Sequence, residues 1–372
     1  AVANAVTFDG AGNLVVSGAI TGTTASLTTN GNGTLLLSGA NTFDGAIAVN
    51  AGILSVGHAD ALGTIVGGTT VANGASLELR GGISVGNEAL AVTGTGLGSA
   101  GALRNLSGVN SFTGTVTLGG ATLIQSDAGT LTLGGTLAAG TYAVTFGGAG
   151  NLVVSGALTG TTASLVKNGS GKLTLSGANT FTGGLSIGGS AGGLQISGSS
   201  ATVSPITAGT GLNGTFVNGP AGIGTLTMGA GTTLYGDGTT RTLANAVVFS
   251  GQPLFDANST TAAAILLNGA ITFNGGNALS VNVVNPGQTA TFQGPVTNIA
   301  SLTSVTKNGA GNFGFNFTGY GTSAPITING GYAMPAWYDI MGAEITQRQD
   351  EAGMRRSLAA IEVLIAREKA RG

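Results

Sequence analysis

The chain has 372 residues, with 70 glycines, 7 prolines and no cysteine, which excludes disulfides, thiolate catalysis and thiolate metal sites. Hydrophobic residues make up 42% of it and no G-X-Y period is present, so neither a disordered glycine linker nor collagen fits. Charged residues make up only 7%, and the net charge of −2 predicts no nucleic acid partner and no attraction to an anionic membrane.

The first residues, AVANAV, are of the small type that remains after signal-peptide cleavage. No run of 18 apolar residues follows anywhere in the chain, so we expect no membrane span. Together with the absence of cysteine, this start indicates a mature exported chain.

From residue 1 to about residue 331, short apolar or threonine-rich runs alternate with glycine-centred breaks. Runs such as residues 173–175 (Leu-Thr-Leu) have period two, which directs every second side chain to one face of a strand. Breaks such as Asn30-Gly31 and Asn168-Gly169 supply the positive φ that tight turns need. The region is therefore predicted to be all-β, with half-buried strands of four to six residues.

The region also repeats itself: residues 5–49 recur as residues 143–187, with 33 of 45 positions identical. Long-range self-similarity without helical pattern favours a β-solenoid over a single sandwich or barrel. If a coil takes about 20 to 25 residues, the shift of 138 corresponds to about six coils and the region to about 14 to 16. At about 4.8 Å per coil, that is a rod about 70 Å long.

Five phenylalanines recur at similar places in the repeats, and we interpret them as an interior stack rather than a ligand platform. They are Phe8, Phe43, Phe112, Phe146 and Phe181.

We find no catalytic constellation in the sequence. Serine hydrolysis needs a G-x-S-x-G elbow in a hydrolase context with a histidine base, and the only histidine is His58, in the repeat region. The acidic residues of the solenoid are scattered and are interpreted as solvated turn residues: Asp9, Asp44, Asp60, Glu78, Glu88, Asp127, Asp237 and Asp256. We predict no enzyme activity, cofactor or metal, and keep a polysaccharide-active enzyme with two carboxylates as the rival.

Three segments carry a recognisable motif: KNGSGKLTLSGANTFTGGLSI at 167–187, TNGNGTLLLSGANTFDGAIAVNAGIL at 29–54, and a weaker copy at 307–331. They resemble the autotransporter-associated β-strand repeat. The resemblance implies a right-handed parallel β-helix displayed on, or secreted from, a Gram-negative cell. No strand series for an outer-membrane barrel follows, so we expect the chain not to be a complete self-translocating protein.

The tail has a different composition, since residues 339–372 hold 12 of the 26 charged residues. Its sequence from residue 326, with Met-Pro-Ala-Trp-Tyr-Asp at 334–339 and Asp-Glu-Ala-Gly at 350–353, resembles the early part of α/β-hydrolase carboxylesterases related to acyl-protein thioesterases. We therefore divide the chain into a solenoid region (1–331) and an esterase-like tail (332–372).

Residues 350–371 are predicted to form a short C-terminal amphipathic α-helix. Its apolar stripe is Met354, Leu358, Ile361, Leu364 and Ile365. This stripe either caps the open end of the solenoid or docks on a neighbouring subunit, and a remnant without order is the third alternative.

The sequence thus predicts an extracellular structural or adhesive β-helical protein. Expected partners are other copies, joined end to end as a homo-oligomer or filament, or a host-cell, matrix or polysaccharide surface. A monomeric adhesin passenger without self-assembly is the alternative.

Overall fold

The structure is a computed structural model that describes residues 5–188, 192–202, 216–257, 263–274, 278–297, 304–315, 326–328 and 332–334. Over these residues it is all-β, with one 3-10 turn at Leu97–Ser99. None of the helices in the described part is long and apolar enough to cross a membrane. The predicted helix at 350–371 lies outside the described residues.

The strands are short and evenly spaced. In the first half of the chain they are β1 (Ala5–Phe8), β2 (Leu14–Val16), β3 (Ser26–Thr29), β4 (Thr34–Leu37), β5 (Ile47–Val49), β6 (Ile53–Val56), β7 (Thr69–Val71), β8 (Ser76–Arg80), β9 (Ser84–Val85), β10 (Leu90–Gly94), β11 (Leu103–Ser107), β12 (Val109–Phe112), β13 (Val116–Ser126), β14 (Thr130–Leu133), β15 (Leu137–Gly140), β16 (Val144–Gly147), β17 (Asn151–Val154), β18 (Leu158–Gly160), β19 (Leu165–Lys167), β20 (Leu173–Leu175) and β21 (Leu185–Ile187). They continue with β22 (Leu194–Ile196), β23 (Ala201–Thr202), β24 (Phe216–Asn218), β25 (Leu226–Met228), β26 (Thr233–Gly236), β27 (Arg241–Leu243), β28 (Val247–Phe249), β29 (Leu254–Ala257), β30 (Ala263–Leu267), β31 (Ile271–Phe273), β32 (Ala278–Val283), β33 (Gln288–Phe292), β34 (Val296–Thr297), β35 (Ser304–Asn308), β36 (Asn312–Phe315), β37 (Ile326–Ile328) and β38 (Tyr332–Met334).

Successive coils stack these strands into parallel columns, which we number as sheets. Sheet 1 contains β1, β3, β5, β7, β10, the start of β13, β15 and β18. Sheet 2 contains β2, β4, β6, β8, β11, the end of β13, β16, β19, β21, β25, β28, β31 and β34. Sheet 3 contains β9, β12, β14, β17, β20, β22, β26, β29, β32, β35 and β37. Sheet 4 contains β27, β30, β33 and β36, and it takes the place of sheet 1 in the later coils. The predicted parallel β-solenoid is confirmed.

The core fills the interior because side chains alternate along each strand. In sheet 3 the buried positions Leu152, Leu173, Leu194 and Leu234 stack in register on successive coils. Each buried leucine contributes about 2 kcal/mol relative to an exposed one. The alternation that the sequence shows therefore fixes which side of every strand faces the interior.

The residues that the structure describes form about 13 turns, whereas the sequence predicts 14 to 16 over residues 1–331. Most strand partners are about 21 positions apart, but Leu185 of β21 pairs with Leu226 of β25, which is 41 positions further on. One coil thus takes up almost twice the usual length of chain, and the estimate from average coil length was too high.

The duplicated block is rotated with respect to its first copy. Ala5–Phe8 lies in sheet 1, whereas its counterpart Val144–Gly147 lies in sheet 2. In the same way Leu14–Val16 lies in sheet 2 and Asn151–Val154 in sheet 3. The shift of 138 residues therefore equals six full turns plus the step from one sheet to the next. As a result, equivalent strands of the two copies lie on different sides of the solenoid.

The asparagine of the repeated Ser-Gly-Ala-Asn-Thr-Phe segment links three coils. The amide of Asn41 donates to the carbonyl oxygen of Ala61 at 2.6 Å, and its Oδ1 accepts from the backbone N–H of Ile20 at 2.8 Å. In the second copy, Asn179 accepts in the same way from the N–H of Leu158 at 2.7 Å. A buried amide bonded on both sides satisfies backbone groups at a corner where the strand ladder is interrupted.

Four of the five repeated phenylalanines are interior, as predicted: Phe43, Phe112, Phe146 and Phe181 are fully buried. Phe8 is only partly buried. Phe8 also packs against the core, and it stays partly exposed because β1 has a hydrogen-bonded neighbour on one side only among the described strands.

Candidate functional site

The predicted contact residues of the tail cannot be placed on this structure. Met354, Leu358, Ile361, Leu364 and Ile365 lie outside the described residues. Their proposed contact with the solenoid end or with a neighbouring subunit therefore stays a prediction.

Within the solenoid, one arginine connects two acidic residues from different coils. Arg104 of β11 stands next to Glu78 of β8 in the sheet 2 ladder, and its Nη1 lies 3.1 Å from Glu78 Oε2. Its Nε donates to Asp127 Oδ2 at 2.7 Å, and its Nη2 contacts the same oxygen. Ser55 Oγ donates to Glu78 Oε1 at 2.9 Å. We call Ser55, Glu78, Arg104 and Asp127 the sheet 2 charge cluster.

The geometry of this cluster suits a cross-link better than acid–base catalysis. A glycosidase pair needs one protonated and one ionised carboxyl group with space for a sugar between them. Here one guanidinium neutralises both carboxylates, and Glu78 is only 5% exposed. The cluster therefore joins four successive coils by charge-assisted hydrogen bonds.

A second acidic residue, Glu88, is also buried, with 3% of its surface exposed. Burial raises the pKa of its carboxyl group, and the hydrogen bond from Thr69 Oγ1 to Oε1, at 2.9 Å, lowers it by a smaller amount. The expectation that the scattered acids are solvated turn residues is thus wrong for Glu78 and Glu88. Residues that are far apart in sequence meet on adjacent coils, and the sequence alone does not give the register that brings them together.

Lys167 is the most unusual titratable residue of the core, because its side chain is fully buried. Its Nζ donates to the carbonyl oxygen of Gly169 at 2.8 Å and to that of Asn168, so the ammonium group holds the turn that follows β19. Burial lowers the pKa of this amine to about 8. In the first copy the same position is Thr29, whose hydroxyl donates to the carbonyl oxygen of Ala51 at 3.2 Å. Sequence reasoning did not single out this lysine.

His58 forms a local contact with Asp60. The backbone N–H of Asp60 donates to His58 Nδ1 at 3.1 Å, and that nitrogen lies 3.8 Å from Asp60 Oδ2. Both side chains are solvent-exposed. Across the residues that the structure describes, no three potential ligands of the His, Cys, Asp or Glu type come together as a metal site.

The outer surfaces of sheets 1 and 3 are long and nearly free of charge. Successive outward positions of sheet 1 are all threonine or alanine: Thr7, Thr28, Ala48, Thr70, Ala91, Thr117, Ala138 and Thr159. The corresponding positions of sheet 3 are mostly polar: Ser84, Ser111, Thr132, Val153, Thr174, Gln195, Tyr235 and Asp256. The sequence alone did not reveal these ladders, because their members are about 20 to 40 positions apart.

Comparison with known families gives two separate matches. The model for the Passenger-associated-transport-repeat matches residues 27–56 and 165–196, which are equivalent segments of the two copies. The model for Phospholipase/Carboxylesterase matches residues 307–372. Both resemblances expected from the sequence are confirmed, although the hydrolase match begins earlier than expected, within β35.

Two curated proteins are similar to parts of the chain. The Adhesin BmaC autotransporter of Brucella suis biovar 1 (strain 1330) is 38% identical over 130 residues, which is 30% of this chain and 4% of the adhesin. Acyl-protein thioesterase 1 of Schizosaccharomyces pombe (strain 972 / ATCC 24843) is 46% identical over 50 residues, which is 13% of this chain and 22% of the thioesterase. The chain thus spans a small part of each relative. No solved structure matches the chain.

Proposed function

From the premise that this chain carries passenger-associated transport repeats of the autotransporter type, we propose that it is an adhesive β-solenoid. It acts at the surface of a Gram-negative cell or after secretion, and it has no enzymatic activity. The observation that carries this proposal is the pair of long, almost uncharged ladders on sheets 1 and 3. Many weak contacts along such a rod add up to useful avidity.

Three further observations support this function. The relative with the longest matched segment is named an adhesin. The sheet 2 charge cluster uses its carboxylates to bind Arg104 within the rod, which leaves them poorly suited to proton transfer. The match to hydrolases includes Lys307 and the strand β36, which belong to the solenoid.

The experiment measures binding of the purified chain to a panel of matrix proteins, host cells and polysaccharides. One variant carries Thr70→Lys and Thr117→Lys on sheet 1, and a second variant carries Thr132→Lys and Thr174→Lys on sheet 3, so that each ladder is tested with the other as its control. Because each pair changes an outward-facing residue, both variants should keep the fold. We expect one pair to reduce binding at least tenfold and the other to leave it unchanged.

Two outcomes would contradict the proposal. One is the absence of binding to every surface of the panel. The other is turnover of a polysaccharide or ester that is lost in Glu78→Gln or Asp127→Asn while the fold is retained. The second outcome would favour the rival, a polysaccharide-active enzyme.

Self-assembly into filaments is the second candidate, and the first strands favour it. Strands β1 and β2 have one hydrogen-bonded neighbour each among the described strands, and backbone groups along a strand edge of this kind can pair with a strand of a second copy. Toward the other end of the solenoid, β38 pairs with β37 in antiparallel fashion, and a parallel coil from another molecule would have to displace it from sheet 3. Filaments in electron micrographs of the purified chain would support assembly, and a monomer at high concentration would support an adhesin that acts alone.

A further inference from the structure

The Asn-Gly pairs of the solenoid differ in how tightly their glycines are packed. Within the residues that the structure describes, these pairs begin at Asn30, Asn32, Asn73, Asn168, Asn218, Asn268 and Asn308. In six of them a Cβ placed on the glycine would lie 2.8 Å or less from an atom of a neighbouring segment. Only at Gly74, among these pairs, does nothing lie within 4 Å of such a Cβ.

The turn that contains Asn73 and Gly74 is open because the turns of the adjacent coils have different lengths. It joins β7 to β8 through residues 72–75, whereas the preceding coil turns through residues 50–52 and the following coil through residues 95–102. Both Asn73 and Gly74 are exposed. The N–H of Gly74 donates to no acceptor in the described part of the chain. This peptide group therefore has room to rotate.

The pair Asn168-Gly169 has the same two residues in a packed environment. Both are exposed, and the φ of Gly169 is 73°, close to the 88° of Gly74. However, a Cβ on Gly169 would lie 2.4 Å from the carbonyl oxygen of Gly148 in the preceding coil. In addition, Lys167 Nζ donates to the carbonyl oxygens of Asn168 and Gly169. This turn is therefore held from two sides, although solvent reaches it equally.

An asparagine that precedes glycine can lose its side-chain amide by reaction with its own backbone. The backbone nitrogen of the glycine gives its proton to a solvent base and attacks Cγ of the asparagine. A bond between these two atoms forms, the Cγ–Nδ2 bond breaks, and the leaving nitrogen takes a proton from water and departs as ammonia. Water then opens the cyclic imide at either carbonyl group, which gives aspartate or isoaspartate. The ring closes only if the peptide group and the side chain can rotate until the two reacting atoms meet.

We propose that Asn73 is a site of spontaneous deamidation, and that it converts faster than every other Asn-Gly pair of the described solenoid. The product carboxylate is ionised at neutral pH. It adds a negative charge three positions after Thr70, a member of the uncharged outward ladder of sheet 1. Isoaspartate also lengthens the backbone of the turn. This modification does not depend on the adhesive function, and it would change the charge at the border of sheet 1 as the exported chain ages.

The experiment incubates the full chain at mildly alkaline pH, at a temperature below its midpoint of thermal unfolding. Peptide mapping by mass spectrometry follows the conversion of each asparagine with time. Two synthetic peptides, residues 71–77 (VANGASL) and 166–172 (VKNGSGK), give the rate of each sequence without the fold. We expect Asn73 in the chain to convert within about threefold of the rate in its peptide, and Asn168 to convert at least tenfold more slowly than in its own.

The two peptides are the matched control, because they separate the effect of flanking sequence from the effect of packing. Three results would each overturn the proposal. The first is protection of Asn73 in the chain to the same degree as Asn168. The second is conversion of Asn168 in the chain as fast as in its peptide. The third is faster conversion at another Asn-Gly pair of the described residues than at Asn73. Binding to the surface panel measures adhesion separately, so either proposal can fail alone.

Discussion

The buried amine of Lys167 leads to a specific prediction about stability and pH. In the unfolded chain this lysine keeps its proton up to a pKa of about 10.5, whereas burial lowers the folded pKa to about 8. Between these two values the unfolded chain binds more protons than the folded one, so the free energy of unfolding rises with pH. A difference of about 2.5 pKa units corresponds to about 3 kcal/mol.

The perturbation is Lys167→Met, which keeps the length of the side chain and removes the titrating group. Urea unfolding of both proteins, followed by circular dichroism, gives the difference between their free energies of unfolding at each pH. All other titrating groups cancel in this difference. Relative to the variant, the wild type should gain about 3 kcal/mol between pH 7 and pH 11, mostly from pH 8 to 10.5.

A difference that stays constant over this pH range would refute the reasoning, because it would mean that the amine of Lys167 reaches solvent and titrates normally. The variant Lys167→Thr is a useful control, since the first copy has Thr29 at this position with a hydroxyl bonded to the next turn. It should fold, and it should show the same pH dependence relative to the wild type as Lys167→Met.

Three further predictions concern contacts between coils. Arg104→Met should lower the free energy of unfolding by about 3 kcal/mol, because it leaves the buried carboxylate of Glu78 without its partner. The double variant Arg104→Met, Glu78→Gln should recover part of this loss. Urea unfolding measures both differences. Gly171→Ala should lower the midpoint of thermal unfolding, since a Cβ there would lie 1.8 Å from a carbonyl oxygen of the preceding coil, whereas Gly86→Ala, with open space around it, should not. Glu88→Gln should stabilise the chain at pH 7, because burial raises the pKa of the Glu88 carboxyl group and so makes its ionised form unfavourable in the folded chain. The gain in the free energy of unfolding should shrink as the pH falls toward 4. A gain that does not change with pH would argue against burial of the charge as its cause.

Much of the fold could be predicted from the sequence, because it depends on short-range patterns. Period-two runs such as residues 173–175 became strands. Gly169 has the positive φ expected for its Asn-Gly break, at 73°, whereas the chain bends at Asn30-Gly31 without a positive φ at Gly31. The burial of Phe43 and Phe181 followed from their equivalent positions in the two copies. These features are set by local alternation and turn chemistry, which a single coil already contains.

The contacts between coils could not be predicted in the same way. Arg104 meets Glu78 and Asp127 only because one coil has 26 residues and the next has 21, as the pairing of Leu103 with its two neighbours shows. A change of one residue in either coil would separate these charges. The burial of Lys167 was missed for a related reason, since a lysine in a turn motif ordinarily extends into solvent.

The rotation of the duplicated block by one face has a consequence for how this protein could evolve and bind. The two copies share the same pattern of buried residues, but their outward residues lie on different sheets. The feature that the duplication preserved is therefore the ability of the coils to stack. An epitope confined to positions that are identical in the two copies, such as residues 10–19, is displayed a second time on a different side of the rod, so the chain can bind two partners through it. Two partners approaching from different directions could bind these two copies without competing for space.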